Sequence, residues 1–435
     1  MKSIYIKTYG CQMNLYDSEK IKALLIKNGY EIVDKPEDAD IIAVNTCCVR
    51  KHAENRALSF LSSYKYLKKK GKIFCILGCI SSLYKEDIYK KNAFINVICS
   101  PDNYNQLPEI LKISDKEKIC ITEENNSPFI SEYILTDGNV SSFITVTKGC
   151  ENFCSYCVVP FTRGKLISKR SEDIIKEIGY LVEKGVREVI LLGQNVNEYG
   201  KDINENFPSL LDKIHSIKEI VRMGFITSHP KDIQDALIFS FKNLPKLYKY
   251  LHLPLQSGSD RILKLMNRKY TLMQYMEIIE KVRKSTPDIT ITSDIIVGFP
   301  SETEDDFNGT VQAIKQIEFD DLFVFKYSPR PLTSASLMKD DVPKEEKERR
   351  HRIILDIQEE IAIKRNNRFV GRTDEIFILK ANDKKGGHSF GKSSSNKTVL
   401  FKGTNIKAGT LQSITFVSAD RRYLYGYSPF ENREV

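Results

Sequence analysis

The chain has 435 residues, 41% of them hydrophobic, and its 66 Lys and Arg against 57 Asp and Glu leave a net charge of +9. That length allows two or three domains, and that apolar content excludes a disordered chain. No apolar run is long enough to span a membrane, and ten cysteines are too few to staple a chain of this size with disulfides.

The opening MKSIYIKTYG reads as a strand and lacks the long apolar stretch of a signal peptide, so a cytoplasmic location is expected. In that reducing setting the cysteines read as metal ligands or buried apolar residues. Strand-like runs at 3–8, 41–45 and 72–77 alternate with helix-like stretches at 18–28 and 52–69. This predicts a small, mostly parallel sheet over residues 1–130. Cys11, Cys47 and Cys79 each fall just beyond the carboxyl end of one of these strands. Loops converge at that edge of an open α/β sheet, and ligands bind there. The three thiols are therefore candidates for one iron–sulfur cluster, against the plain reading of buried loop cysteines. Cys48 competes with Cys47 on spacing, and Cys75, alternating inside an apolar strand, reads as core. Residues 112–140 are polar, carry Pro128 and Gly138, and read as a linker.

A strand at 142–147 leads directly into Cys150, Cys154 and Cys157. Three cysteines so spaced can ligate three irons of one small cluster and leave the fourth iron open, a position for chemistry rather than for carrying electrons alone. Helix–strand pairs follow at 172–183 with 188–192, 208–217 with 221–226, 231–239 with 249–253, 272–284 with 289–297, and 304–317 with 321–327. Six strands with crossover helices predict a partly open β/α barrel, which with its trailing helix covers 141–368. Gln194, Ser228, Gln256 and Asp294 fall on the strand-end face where barrel sites form, and are candidates for cofactor or substrate contact. Plain readings stand beside these. Gly193 and Gly298 suit tight turns, His229 before Pro230 suits a closed loop, and Ser257 and Ser259 suit a helix cap. Asp294 equally suits barrel core. Phe153 and Tyr156 suit either a shield around a cluster or loop packing, and Arg163 either a buried partner for a carboxylate or the surface.

Residues 344–368 carry Ile353, Ile354, Ile357 and Ile361 at helical spacing and read as a helix lying on the barrel. Beyond it, β-rich runs at 373–380, 398–401 and 409–417 predict a small all-β barrel over 369–435. Positions 361–425 hold 13 Lys and Arg against 4 Asp and Glu, so the net charge of the whole chain resides here. A basic module on an otherwise neutral protein points to a polyanion, most simply RNA, with solubility as the bland alternative. Lys384, Lys385, Lys392, Lys397, Lys402, Lys407, Arg421 and Arg422 are the candidate phosphate contacts, which position a nucleic acid without specifying its sequence.

TYGCQMN at 8–14, NTCCVR at 45–50, LGC at 77–79, GCENFCSYCVVPFTRG at 149–164, LLGQNVNEYG at 191–200, TSHP at 227–230, LHLPLQSGSDRILKLMNR at 251–268 and SDIIVGFPSET at 293–303 together resemble the radical S-adenosylmethionine methylthiotransferases. The resemblance is nearest to the branch that modifies isopentenyladenosine beside the tRNA anticodon, and it covers essentially the whole chain, with a tail similar to the RNA-binding TRAM barrel. It implies that Cys150, Cys154 and Cys157 hold a radical-generating 4Fe-4S cluster, and that Cys11, Cys47 and Cys79 hold an auxiliary 4Fe-4S cluster. It also implies a division of labour between two S-adenosylmethionine molecules. One methylates a sulfur at the auxiliary cluster. The other gives the 5′-deoxyadenosyl radical that removes hydrogen from C2 of the adenine. An electron donor, a sulfur source and a monomeric enzyme without membrane attachment are expected with it. Two departures stand out: Cys48, where the family often has a small polar residue, and Leu332 in YSPRPLTSA, where it usually has glycine. The rivals are relatives acting on threonylcarbamoyl-adenosine or on a ribosomal-protein aspartate, and, in a different class, a non-catalytic metal-bearing RNA-binding protein. About eight irons per chain would separate two clusters from about one zinc.

Overall fold

A computed structural model describes every residue except 50, 116, 124–128, 135–137, 383–386, 404–405 and 429–435. Lys384 and Lys385 therefore lie outside the described residues. The amino-terminal domain is a six-stranded sheet in the order 31–32, 3–9, 41–46, 73–78, 97–99, 119–121, parallel throughout. Its central strands Ile41–Thr46 and Ile73–Gly78 are buried along their whole length because helices cover both faces. Cys75 and Cys99 are fully buried in this core, where burial pushes both thiols up. The stretch expected to be a linker contributes the edge strand Ile119–Ile121, paired to Val97–Cys99. Its polar flanks conceal a strand that only a tertiary partner stabilises. The first helix starts at Gln12, directly after Cys11, rather than near 18.

The central domain has two three-stranded parallel sheets, ordered 222–226, 188–192, 141–145 and 250–252, 290–297, 321–326. A parallel bridge between Met223 and Leu247 joins them. The result is six strands of one barrel, open between Ser141–Thr145 and Asp321–Lys326, with the helix Lys344–Asn367 packed along the latter. The carboxyl-terminal strands Thr373–Lys380, Ser389–Lys392, Thr398–Lys402, Leu411–Ala419 and Tyr423–Tyr427 close into a five-stranded barrel.

This small barrel sits on the amino-terminal ends of the central strands. Lys249 donates its N–H to the Ser394 carbonyl, Ser395 Oγ donates to the Asp288 carbonyl, and Arg222 reaches the Glu375 carbonyl. Asp320, just before its strand and fully buried, is surrounded by Arg365, Arg368 and Lys397 at 3.2–3.3 Å. Two candidate phosphate contacts are corrected by this docking. Lys397 is buried and belongs to Asp320. Lys392 is turned inward toward Glu188 and bonds Thr398 Oγ1. The buried Lys397 ammonium cannot also meet a phosphate, and the half-buried Lys392 is committed to a hydroxyl on its inner side. Lys402, Lys407 and Arg422 are exposed, and half-buried Arg421 lies 3.7 Å from Glu359.

Candidate functional site

The carboxyl ends of the amino-terminal sheet and of the central barrel strands face one cavity of about 290 Å³, lined by Cys11, Cys47 and Cys79 from one domain and Cys150, Cys154 and Cys157 from the other. Glycine precedes three of these cysteines, and two of those glycines have a clear steric reason. Gly78 has φ 96°, and a Cβ there would lie 2.5 Å from the Thr46 carbonyl; Gly149 has φ 78°, and a Cβ would lie 1.8 Å from the Lys165 carbonyl. Cys47 lines the cavity, whereas its neighbour Cys48 is sealed in an apolar cluster with Cys79, Leu83 and Val158.

Among the described residues, four of the six sulfurs accept N–H donors. Val49 N–H lies 3.3 Å from Cys47, Arg163 Nε 3.1 Å from Cys79, Asn152 Nδ2 3.3 Å from Cys150, and Arg268 Nη1 3.3 Å from Cys154. Such donors favour the thiolate form that binds metal. The Cys79 thiol is drawn down to about 6, first by the Cys48 thiol bonded to it and then, against burial, by the Arg163 guanidinium. Cys11 is drawn down to about 7, first by Cys47, with Arg163 again assisting against burial. In the triplet, burial pushes Cys150 up, and Cys157 up to about 12. Among the described residues no three His, Cys, Asp or Glu converge on one metal-ion position. A cluster spreads its thiolates over separate irons.

The triplet loop is held from several sides. Ser155 donates its N–H to the Met266 carbonyl and accepts from Ala335, and Cys150 N–H meets the Gly164 carbonyl. Gln194 spends its side chain on the loop's surroundings: its Oε1 accepts from Gly149 N–H at 2.7 Å, and its Nε2 meets Met13 Sδ. It lines the cavity as an anchor rather than as an open polar group. Ser228 Oγ and Gln256 Oε1, both in buried residues, line the cavity with no hydrogen-bond partner among the described residues. Asp294 lines it too, 3.6 Å from His252 Nε2. Thr227 and Gln256 adopt φ of 78° and 74°, left-handed conformations that cost a non-glycine residue about 1–2 kcal/mol each and concentrate where geometry serves a ligand.

His229 has a sharper role than its motif suggests. Burial, with Arg268, Lys231 and Lys201 nearby, holds it down to about 2. It stays neutral, and because Nδ1 accepts from Lys231 N–H, its proton sits on Nε2. Ser259 caps the helix Asp260–Leu265, the plain reading. Phe153 is 55% exposed with φ 46°, which does not suit a shield, whereas Tyr156 packs with Phe299 and Tyr327. Arg268 is a site residue that sequence reasoning misses; its one signal is its place as the last residue of the motif over 251–268. Arg163 is buried, on Asp17 and Cys79 rather than on a ligand carboxylate or at the surface.

Comparison with known proteins places two family models on these domains: the radical SAM superfamily over residues 144–314, and uncharacterized protein family UPF0004 over residues 3–100. A tRNA-2-methylthio-N(6)-dimethylallyladenosine synthase of Thermodesulfovibrio yellowstonii is 42% identical over 98% of this chain and 98% of its own. The protein of the same description from Geobacter sulfurreducens is 40% identical over 98% of this chain and 97% of its own. Among solved structures, the radical S-adenosylmethionine methyltransferase TsrM of Kitasatospora setae superposes with a TM-score of 0.56 over 77% of this chain and 75% of its own, at 11% identity. That likeness speaks to the fold alone.

Proposed function

This chain belongs to the family of tRNA-2-methylthio-N(6)-dimethylallyladenosine synthases, and from that premise we infer that it inserts a methylthio group at C2 of isopentenyladenosine next to the anticodon of tRNA. When bound, two 4Fe-4S clusters and S-adenosylmethionine supply the radical and the methylthio group. The observation that carries the reading is the meeting of two cysteine triplets, one from each domain, on one cavity.

The residues fit these groups. Cys150, Cys154 and Cys157 would hold one cluster, and Cys11, Cys47 and Cys79 the other. Three thiolates apiece leave one iron in each without a protein sulfur. Ser228, Gln256 and Asp294 offer polar atoms toward the amino and carboxylate groups of S-adenosylmethionine, and neutral His229 offers an N–H without a competing charge. Gln194 fixes the glycine before Cys150 and so orients the triplet.

The base has a route in. A trough of about 580 Å³ opens beside the cavity and shares Tyr156, Cys157, Gln256 and Asp294 with it. Ile296, Val324 and Tyr327 line it, while Lys51, Lys326 and His351 stand around it. Apolar lining suits a dimethylallyl group, and cations suit the flanking phosphates. Exposed Lys402, Lys407 and Arg422 would meet the RNA at the opposite end of the barrel. A reducing protein and a sulfur donor complete the partners. A tRNA substrate supports a cytoplasmic location; among the described residues no helix is long and apolar enough to cross a membrane.

Mass spectrometry of tRNA nucleosides from cells with and without the gene tests the substrate. Loss of the methylthio group from isopentenyladenosine alone is expected, and its persistence refutes the assignment. In purified enzyme, Cys150→Ala should abolish reductive S-adenosylmethionine cleavage. Cys11→Ala should keep cleavage and lose product; full product formation would overturn the auxiliary role.

A further inference from the structure

Among the described residues each cysteine set has one buried guanidinium on one sulfur, and the two are not equivalent. Arg268 comes from the same domain as its sulfur partner, Cys154; its Nη2 also reaches the Pro254 carbonyl, and its Nε the Tyr270 hydroxyl. Arg163 crosses between domains. It ends the short helix Val159–Arg163 that begins two residues after Cys157, yet its Nε donates to Cys79 at 3.1 Å. Its Nη2 lies 2.8 Å from Asp17 Oδ2, on the amino-terminal domain's first helix, and the Arg163 side chain is only 4% exposed.

The backbone on either side explains how it is held. The next residue, Gly164, turns with φ 71°, and its carbonyl accepts from Cys150 N–H at 3.1 Å, so the segment 150–164 closes on itself. On the other side Val158, adjoining Cys157, packs with Cys48, Cys79 and Leu83. One closed segment thus carries all three thiols of one set and the guanidinium that contacts the other.

We propose that Arg163 is a positioning residue that ties the auxiliary cysteine set to the triplet segment and raises the reduction potential of the cluster held by Cys11, Cys47 and Cys79. The physical basis is direct. Adding one electron to a cluster makes it more negative, and a fixed cation with an N–H on a ligand sulfur stabilises that added charge. A low-dielectric surrounding enlarges the effect. Asp17 Oδ2, 2.8 Å from Nη2, partly offsets the cation, while Nε is the atom that donates to the sulfur. Lysine would keep the charge without the fork. The inference rests on the assignment of these three cysteines to a cluster.

The test uses the full chain carrying Cys150→Ala, Cys154→Ala and Cys157→Ala, so that only the auxiliary cluster is present, reconstituted with iron and sulfide and titrated with dithionite under electron paramagnetic resonance. Arg163→Gln should move the midpoint to a more negative potential, Arg163→Lys should restore part of the shift, and Arg268→Gln should leave it where the parent has it. Loss of the cluster in Arg163→Gln with retention in Arg163→Lys also supports the role. An intact cluster with an unmoved midpoint in Arg163→Gln overturns it, as does an equal shift in Arg268→Gln or loss of the cluster in both Arg163 variants. A parent that binds no four-iron cluster overturns the ligand assignment itself, and this inference with it.

Discussion

Glu177→Gln should weaken the joint that holds the two cysteine sets in register. The Glu177 side chain is fully buried, on the helix Ser171–Glu183 of the central barrel. Its carboxylate takes Lys20 Nζ at 2.6 Å and the Tyr16 hydroxyl at 2.9 Å, both from the amino-terminal domain's first helix, and also pairs with Lys169. Glutamine keeps the shape and a partner for Tyr16 but leaves two ammoniums without a carboxylate. Lys169, 12% exposed, can draw in water. Lys20, 2% exposed, retains the Glu132 carbonyl at 2.6 Å and two tyrosine rings at 5.4 and 5.5 Å. Removing one partner of a buried pair costs about 3–5 kcal/mol. At about 2–4 °C per kcal/mol for a domain of this size, the melting temperature should fall on the order of 10 °C.

The sign with pH follows from the same contacts. Burial opposes ionisation of Glu177, yet Lys20 and Lys169 hold its carboxyl below the ordinary value. A depressed carboxyl contributes stability that is present above the unfolded value, about 4.3, and is lost as pH falls through the folded one. The gap between wild type and Glu177→Gln should therefore be full at pH 7 and narrow below about pH 4. Scanning calorimetry on both proteins, with Lys20→Met/Glu177→Gln as a third, decides the matter. The double variant should recover part of the loss, because the stranded buried charge is gone. A Glu177→Gln protein within about 1 kcal/mol of wild type, below the 3–5 kcal/mol expected for a broken buried pair, or a double variant no better than the single, would refute the reasoning.

Other consequences are simpler to test. In cluster-free protein, Cys11 is accessible and its thiol is drawn down to about 7, first by Cys47, so mass-resolved iodoacetamide labelling of Cys11 should have its pH midpoint near 7. A midpoint near the value of about 8.5 for a free cysteine would count against that geometry, and Cys47→Ala should move the midpoint upward. Charge reversal at Lys402, Lys407 and Arg422 should weaken tRNA binding and flatten its salt dependence by about 0.7–0.9 for each phosphate no longer neutralised. Lys397→Gln, by contrast, should lower stability with the salt slope unchanged; an equal change of slope would restore Lys397 to the RNA surface. Leu332 occupies φ 69° and is 60% exposed, so Leu332→Gly, trading about 1–2 kcal/mol of left-handed strain against about 0.5–1 kcal/mol of chain entropy, should leave stability unchanged or raise it slightly in urea titration. Leu332→Val should lower it, since β-branching is worse still in that conformation. A destabilised glycine variant would show that the leucine packs usefully.

The course of the chain was legible where periodicity and local chemistry agree. The alternating runs of the two parallel sheets, the helix over 344–367 and the placement of cysteines at strand ends all follow from side-chain patterns within a few residues of one another. The strand Ile119–Ile121 escaped because three half-buried residues between polar flanks carry no periodic signal until a neighbouring strand pairs with them. The basic tail misled for a related reason. A lysine's charge is visible in sequence but its direction is not, and Lys392 and Lys397 face a docking interface whose acids, Glu188 and Asp320, lie far away in the chain.

Sequence by itself marked Cys150, Cys154 and Cys157 as one candidate set and placed Cys11, Cys79 and either Cys47 or Cys48 at strand ends as another, since spacing is a local property, and it pointed to the family through motifs spread along the whole length. Tertiary structure alone decided that both sets open on one cavity and that Cys47 lines it while Cys48 is sealed away. It also decided that Arg163 reaches across to Cys79 and that His229 is neutral with its proton on Nε2. Each of these depends on which distant groups share a low-dielectric space, and burial and long-range contact exist only once the domains have packed.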